Sequence, residues 1–264
     1  MAILEVTYMS VALNRNTTFH VVLPADRMNP ACTEYLPMKP LKTLYLLHGL
    51  QDSSAGWLTS TRIKRWATLM DMAVIMPQGD NSYYVDRPES KSNYGVFIGE
   101  ELVNVTRRMF PLSHRREDTF IGGLSMGGFG AVRNGLKYHE TFSRIIGLSS
   151  ALYVFEKPEE FFDGTFGKAR FGAYEESVLT DKNPRVAAQN LLALKEKQPD
   201  TPLPKFYLAC GTEDFLLESN RSFEKFLKEK EFDCTYIEAP GTHSWDFWDE
   251  HIKNALDWLE ENKE

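Results

Sequence analysis

FIGGLSMGGFG, residues 120–130, passes from a β-rich run into a serine ringed by glycines and on into helix-forming sequence. Gly123, Leu124, Ser125, Met126 and Gly127 match G-x-S-x-G, the turn that lifts a serine hydroxyl between a strand and a helix. Such a serine is held in strained backbone, and glycines beside it let neighbouring chain pass close. Gly128 and Gly130 then read as letting the following helix approach the sheet. Two other readings compete. The glycines could serve strand–helix packing alone, or cradle a phosphate. The cradle lacks a Gly-Lys-Ser/Thr ending and an acidic residue placed after a following strand for a ribose.

The same strand–glycine–helix rhythm runs outward in both directions. Upstream, residues 3–13 and 17–23 alternate like strands around a hairpin turn at Asn14-Arg15-Asn16. A loop spaced by Pro24, Pro30, Pro37 and Pro40 leads to KTLYLLH, the near-continuous apolar run of a strand buried on both faces. A helix is expected near 60–70, a strand at 72–77, a polar loop carrying Tyr83, Tyr84 and Tyr94, and an amphipathic helix near 96–110. Downstream come a helix over 126–138 and a strand over 142–150. After residue 203 follow the strand KFYLACG, a helix at 217–230, the strand DCTYIEA and a helix at 244–261. Between them, residues 151–203 mix seven aromatics (Tyr153, Phe155, Phe161, Phe162, Phe166, Phe171, Tyr174) with glycine and proline. The expectation is one α/β domain over 1–264. It has a mostly parallel central sheet, an antiparallel N-terminal start, helices on both faces, and a cap-like aromatic insertion at about 151–203 over the active site.

Composition narrows the function. Net charge is −7 with scattered basic residues, which excludes the cationic footprint of a nucleic-acid binder. The N-terminal decapeptide carries Glu5 and lacks a basic segment before an apolar one, unlike a signal peptide, and no apolar run reaches the roughly 18 residues of a membrane span. Cys32, Cys210 and Cys234 are an odd set without C-x-x-C spacing, as in reduced cytoplasmic thiols. Aromatics in the insertion, if exposed, would point to a homo-oligomer; burial would explain them equally.

A serine hydroxyl needs a base to take its proton and a third group to orient that base. Among six histidines, His243 lies between the last strand and the last helix, in a loop able to bring imidazole to the serine. His20 falls in a strand, His114 in a basic loop, His139 after the helix that follows Ser125, and His251 in a charged helical stretch that reads as solvated. For the acid, Glu213 and Asp214 both follow the strand ending near Cys210, and spacing leaves both open. Asp246 and Asp249 read as helix-capping or solvated. Two amides should face the developing oxyanion: that of Met126, directly after the serine, and that of Leu50, aimed by the turn at Gly49. His48 reads as structural.

With HGL at 48–50, GLSMGG at 123–128, GTEDF at 211–215 and GTHSWDFW at 241–248, the chain resembles, over about residues 3–260, the esterase D-like esterases of the α/β-hydrolase fold. That family includes tributyrin esterases, S-formylglutathione hydrolases, and feruloyl and acetylxylan esterases, and the chain resembles the bacterial tributyrin esterase branch in particular. The resemblance implies Ser125 as nucleophile, Asp214 as acid and His243 as base, with Leu50 and Met126 as oxyanion donors. It implies a serine carboxylesterase for small-molecule esters that needs no cofactor or metal. Trp57 and Trp245, near two of the motifs, are read either as pocket lining or as core. A thioesterase or acyltransferase using the same serine, and an inactive binding protein, are the alternatives.

Overall fold

Every second residue of Ala2–Ser10 (β1) is the more exposed one, the pattern of an edge strand with one face on the core. The computed structural model describes residues 1–28, 34–36, 39–156, 161–162 and 165–261, so Cys32, Pro30 and Pro37 lie outside the described residues. β1 pairs antiparallel with Arg15–Leu23 (β2), with Ala2 opposite Leu23 and Ser10 opposite Arg15. The hairpin turns over residues 11–14, two to three positions earlier than Asn14-Arg15-Asn16 suggests. Asn14 takes the left-handed conformation (φ 52°), and Arg15 and Asn16 already belong to the strand.

Thr43–Leu47 (β3), Ala73–Pro77 (β4), Thr119–Leu124 (β5) and Arg144–Leu148 (β6) are buried along their whole length. This is why they read as continuous apolar runs rather than as alternation. With Lys205–Gly211 (β7) and Cys234–Ala239 (β8) they form an eight-stranded sheet in the order β1-β2-β4-β3-β5-β6-β7-β8. β2 meets β4 antiparallel, and from β4 onward every pairing is parallel. The carboxyl ends of β3, β5, β6 and β7 therefore open along one rim.

Helices cover both faces. Gly56–Ser60 (α1), Ile63–Met70 (α2) and Trp245–Glu261 (α9) put Trp57, Trp66, Phe247 and Trp248 into one core. Leu102–Met109 (α3), Met126–Lys137 (α4), Pro184–Lys197 (α7) and Leu217–Glu229 (α8) put Val103, Phe129, Leu191 and Leu227 into the other. The helix expected near 60–70 is α2, and a short helix not expected, α1, precedes it, the two parted where Thr61 turns extended. Its hydroxyl donates to the Trp57 carbonyl at 2.5 Å and accepts from the Ile63 amide at 3.2 Å.

Between β6 and β7 lie the 3-10 turn Leu152–Phe155 and the short helices Thr165–Phe171 (α5) and Tyr174–Ser177 (α6). Their aromatics pack on one another and on Tyr83 and Phe129: ring centroids lie 5.3 Å apart for Tyr83–Phe161 and 5.7 Å for Phe129–Phe171. Phe155, Phe161, Phe162 and Phe171 are buried, so the case for self-association through exposed aromatics loses its premise. Regular α/β alternation resumes inside the expected insertion, at α7. Asn183 caps it by accepting from the Arg185 amide at 3.1 Å, Pro184 opens its first turn, and Ala187, Ala188 and Leu191 face α4. No helix among the described residues is long and apolar enough to cross a membrane.

Candidate active site

Ser125 stands between β5 and α4 at φ 53°, ψ −118°, a backbone conformation that non-glycine residues rarely adopt. Hydrogen bonds hold it there. Its amide donates to the Leu148 carbonyl at 2.9 Å, and its own carbonyl accepts from Phe129 and Ala151, both at 3.0 Å. The flanking glycines are sterically required. A Cβ on Gly123 would stand 2.4 Å from the Gly127 carbonyl, and one on Gly127 would stand 2.4 Å from the Leu47 oxygen and 2.6 Å from that of His48. The turn is therefore pressed directly against the end of β3. Gly128 admits Ser150, at the end of β6, as a close helix–sheet approach requires. Gly130 has a different reason from the expected one: its missing side chain leaves room for the ring of Tyr84, which a Cβ would meet at 2.4 Å.

His243 comes from the loop between β8 and α9. Its Nε2 lies 3.0 Å from Ser125 Oγ and its Nδ1 lies 2.9 Å from Asp214 Oδ2. The Asp214 side chain is wholly buried. Burial pushes its carboxyl pKa up, but hydrogen bonds from His243, the Leu216 amide and the Ser149 hydroxyl outweigh that and hold it below the ordinary carboxylate value. An ionised Asp214 only accepts, so the neutral imidazole carries its proton on Nδ1. Nε2 is left to accept from the serine hydroxyl. Of the adjacent acids, Asp214 is thus the one that reaches the imidazole. Glu213 is exposed and accepts instead from the Gly241 amide at 2.6 Å and the Thr212 hydroxyl at 2.9 Å.

The loop after β3 lies against the serine. A Cβ on Gly49 would stand 3.6 Å from that of Ser125 and 2.7 Å from Leu124 Cδ1. Neither the Leu50 amide nor the Met126 amide has an acceptor among the described residues, and Met126, as the first residue of α4, has no intrahelical one. His48 is buried, its Nε2 accepting from the Gly79 amide at 2.9 Å, so its Nδ1 carries the proton that faces the Gly49 carbonyl at 2.7 Å. Burial also lowers its pKa. It is a neutral strut with both nitrogens engaged. Tyr84, threaded between Gly79 and Gly130, donates its hydroxyl to the His48 carbonyl at 3.0 Å and braces the loop from beneath.

Trp57 sits in the core cluster beneath α1 and α9. It is fully buried, its indole N–H donating to the Leu47 carbonyl at 3.0 Å, and Trp245 packs on it edge-to-face at 5.4 Å. Trp245 is half-buried and touches Trp248, whose ring in turn stands 4.8 Å from that of His243. The remaining histidines lie elsewhere. His20 bonds Ser54 at 3.0 Å, His114 is exposed, and His139 is partly buried with Nε2 unpartnered. His251 is not solvated: it stacks on Phe247 at 4.0 Å because the spacing 247, 248, 251, 252, 255 puts it on the apolar stripe of α9. Asp249 caps another helix than its own, accepting from the Arg62 amide at 2.8 Å ahead of α2.

Three neighbours of the site carry no linear signal. Ser149, buried just after β6, accepts from the Trp248 indole N–H at 3.1 Å; Trp248 sets its ring edge-to-face on His243 at 4.8 Å; and Phe215, 75% exposed, lays its ring 4.7 Å from His243.

A serine on a strained strand–helix turn, with an imidazole and a buried carboxylate arriving from the ends of later parallel strands, defines an α/β-hydrolase, and the protein is a carboxylic ester hydrolase. It belongs to the esterase family described as "Putative esterase", which matches residues 10–259. An acetyl esterase of Caldicellulosiruptor saccharolyticus is 41% identical over 98% of both chains. A substrate-bound fluorophosphonate-binding serine hydrolase of Staphylococcus aureus superposes with TM-score 0.85 at 30% identity, covering 98% of each chain. An S-formylglutathione hydrolase of the same organism does so with TM-score 0.83, also at 30% identity and 98% coverage of each.

Proposed function

We propose that the chain hydrolyses short-chain acyl esters, acetyl esters among them, through an acyl enzyme on Ser125. The observation that carries this is the unbroken line of hydrogen bonds from Ser125 Oγ through His243 to Asp214. His243 Nε2 takes the hydroxyl proton as Oγ attacks the ester carbonyl. Asp214 stabilises the resulting imidazolium without taking its proton. The amides of Leu50 and Met126 receive the oxyanion, whose charge exists only in the tetrahedral state, so their contribution falls on the transition state rather than on substrate binding. His243 then protonates the departing alcohol. Water enters by the same route to free the acid and Ser125.

The 41% identity to an acetyl esterase supports a small acyl group. The resemblance to an S-formylglutathione hydrolase supports a second reading, in which the leaving group is a thiol and the same four steps apply. We further read the insertion at about 151–203 as shaping the acyl side, since the Ala151 amide at its start bonds the Ser125 carbonyl at 3.0 Å. The free thiols of Cys210 and Cys234 fit a reducing cytoplasm. Two measurements test the proposal. Fluorophosphonate should give one adduct, on Ser125, and Ser125→Ala should fold normally while losing roughly three orders of magnitude or more of 4-nitrophenyl acetate turnover. A labelled residue elsewhere would move the nucleophile. A panel of acetyl, butyryl and hydroxycinnamoyl esters beside S-formylglutathione then separates ester from thioester use.

A further inference from the structure

We propose that the cavity between the loop after β4 and helix α5 is a binding site for a small carboxylate, held by Arg170 and Arg87. The cavity measures about 380 Å³, and Asn81, which lines it, accepts from the Gln51 amide at 2.8 Å through its side-chain oxygen. It therefore borders the loop that carries Leu50. Arg170 comes from the last turn of α5, and Arg87 from the two-residue strand Asp86–Arg87 that pairs with Ser92–Asn93. Both guanidinium groups are fixed by neutral partners. Arg170 lies over the Phe166 ring, 3.6 Å from its centre, and donates from Nε to the Asn81 carbonyl at 2.8 Å and from Nη1 to the Phe166 carbonyl at 3.0 Å. Arg87 Nη1 donates to the Lys168 carbonyl at 3.0 Å and to that of Ala169, near the end of α5. Nη2 of each arginine has no acceptor among the described residues.

Charge decides what the cavity takes. Arg170 has no acid partner among the described residues, and burial lowers its pKa, so it is a partly desolvated cation without a counter-charge. Arg87 has one, Glu89, whose carboxylate is 3.4 Å away and 73% exposed, where water screens the pair. Asp80, a carboxylate on the wall, is already satisfied. Its Oδ1 accepts from Gln78 at 3.0 Å, and its Oδ2 accepts from the Tyr94 hydroxyl at 2.7 Å and from Arg15, which neutralises it. The wall serines have their protons engaged as well: Ser82 donates to the Gly79 carbonyl at 2.6 Å, Ser90 to that of Arg87 at 3.2 Å and Ser92 to that of Ser90 at 3.3 Å. What remains to donate is the two guanidinium edges and the Asn81 side-chain amide. In a chain of net charge −7, two such cations around one cavity mark a place for an anion, and the planar fork of a guanidinium matches a carboxylate at two points. The carboxylate has two sources: it is part of the ester, or it is free, as an acid released by hydrolysis would be. In both cases Asn81 carries its effect to the reaction, because the residue that accepts from Arg170 also accepts from Gln51, next to Leu50.

The probe is sodium succinate, titrated into the full chain at fixed ionic strength and followed by calorimetry, with sodium chloride as the control and thermal unfolding alongside. The wild type should show saturable uptake, and Arg170→Gln and Arg87→Gln should each weaken it about tenfold or more, as removal of one charge-assisted pair does. Arg170→Lys keeps the charge but loses the fork, and should fall between the two. No saturable uptake, or equal uptake by the wild type and Arg170→Gln, overturns the proposal; should Arg170→Gln fold poorly, Arg87→Gln decides in its place. Kinetics then identify the source. If the carboxylate belongs to the ester, Arg170→Gln should raise KM for mono-4-nitrophenyl succinate or for 4-acetoxybenzoate about tenfold more than for 4-nitrophenyl acetate. If it is free, added succinate should change wild-type turnover of 4-nitrophenyl acetate, and change that of Arg170→Gln far less. Uptake with neither effect overturns the link through Asn81. Ser125→Ala should take up succinate as the wild type does. An active Ser125→Ala would therefore sink the acyl-enzyme reading and leave this inference standing, whereas a dead Ser125→Ala beside a wild type that takes up no succinate sinks this inference alone.

Discussion

Glu213 and Asp214, consecutive in the chain, hold two points of the segment that carries His243. Glu213 Oε2 accepts from the Gly241 amide at 2.6 Å, and its own amide donates to the Gly241 carbonyl at 3.1 Å, while Asp214 Oδ2 meets His243 Nδ1 at 2.9 Å. Contact is close enough that a Cβ on Gly211 would stand 2.1 Å from the Gly241 oxygen. One acid anchors backbone and the other orients the imidazole. Asp214→Asn should therefore cut kcat by roughly three to four orders of magnitude through the wrong tautomer. Glu213→Ala should cost about tenfold and Glu213→Gln less, because an amide oxygen still accepts from Gly241. Steady-state kinetics of the three variants decide it; equal losses for Glu213→Ala and Asp214→Asn would remove the distinction.

The turn at Ser125 leaves no room beside β3. The Cβ of Gly127→Ala would meet two backbone oxygens, neither able to move aside, so that variant should lose about 2–3 kcal/mol and lower Tm by roughly 5–10 °C. Gly172 is the contrast: at φ 86°, with nothing nearer than a Glu176 oxygen at 3.8 Å, its replacement by alanine meets strain but no clash and should cost about 1 kcal/mol. Similar Tm values for the two would mean that close approach does not govern the elbow.

Burial lowers the pKa of His48, His139 and His251, the first cause in each. Between their depressed folded values and the ordinary 6.5, the unfolded chain binds protons that the folded chain does not, so stability falls as pH drops into that window. The depressed carboxyl of Asp214 adds a second loss, in full force only below its ordinary 3.8. Urea midpoints should be flat above about pH 7 and fall from about pH 6.5 downward. A midpoint unchanged down to pH 5 would count against neutral buried imidazoles.

Phe215 is large, apolar and exposed beside His243, which suits contact with substrate rather than with core. Phe215→Ala should leave Tm within about 1–2 °C while raising KM a few-fold for esters with apolar leaving groups. Unaltered KM across alcohols of increasing size would assign the ring no part in binding.

Much of this was legible along the chain, and what escaped shares a cause. The inner strands are visible because burial on both faces demands unbroken apolar runs, as in Thr43–Leu47. Ser125, Asp214 and His243 can be found because each follows a strand, so topology alone brings them to one rim. Which of Glu213 and Asp214 meets the imidazole depends on backbone direction within one turn, and spacing does not encode it. Ser149 and Trp248 lie 99 positions apart and have no pattern of their own. The job of Gly130 is set by Tyr84, a residue on another loop. Helix α7 was hidden by the irregular aromatic stretch before it, and the burial of His251 by charged neighbours that point the other way.

The two cores lie on opposite faces of the sheet, and the site draws on both. Trp248, which touches His243, belongs with Trp57 and α9, whereas the aromatic cover belongs with Tyr83, Phe129 and α4. Substitutions among these aromatics are thus separated from the imidazole by a layer of buried backbone, and well-separated substitutions act nearly independently. On the function proposed above, such an arrangement makes the scaffold evolvable: the aromatic side can drift while the hydrogen-bonded line from Ser125 through His243 to Asp214 is inherited undisturbed.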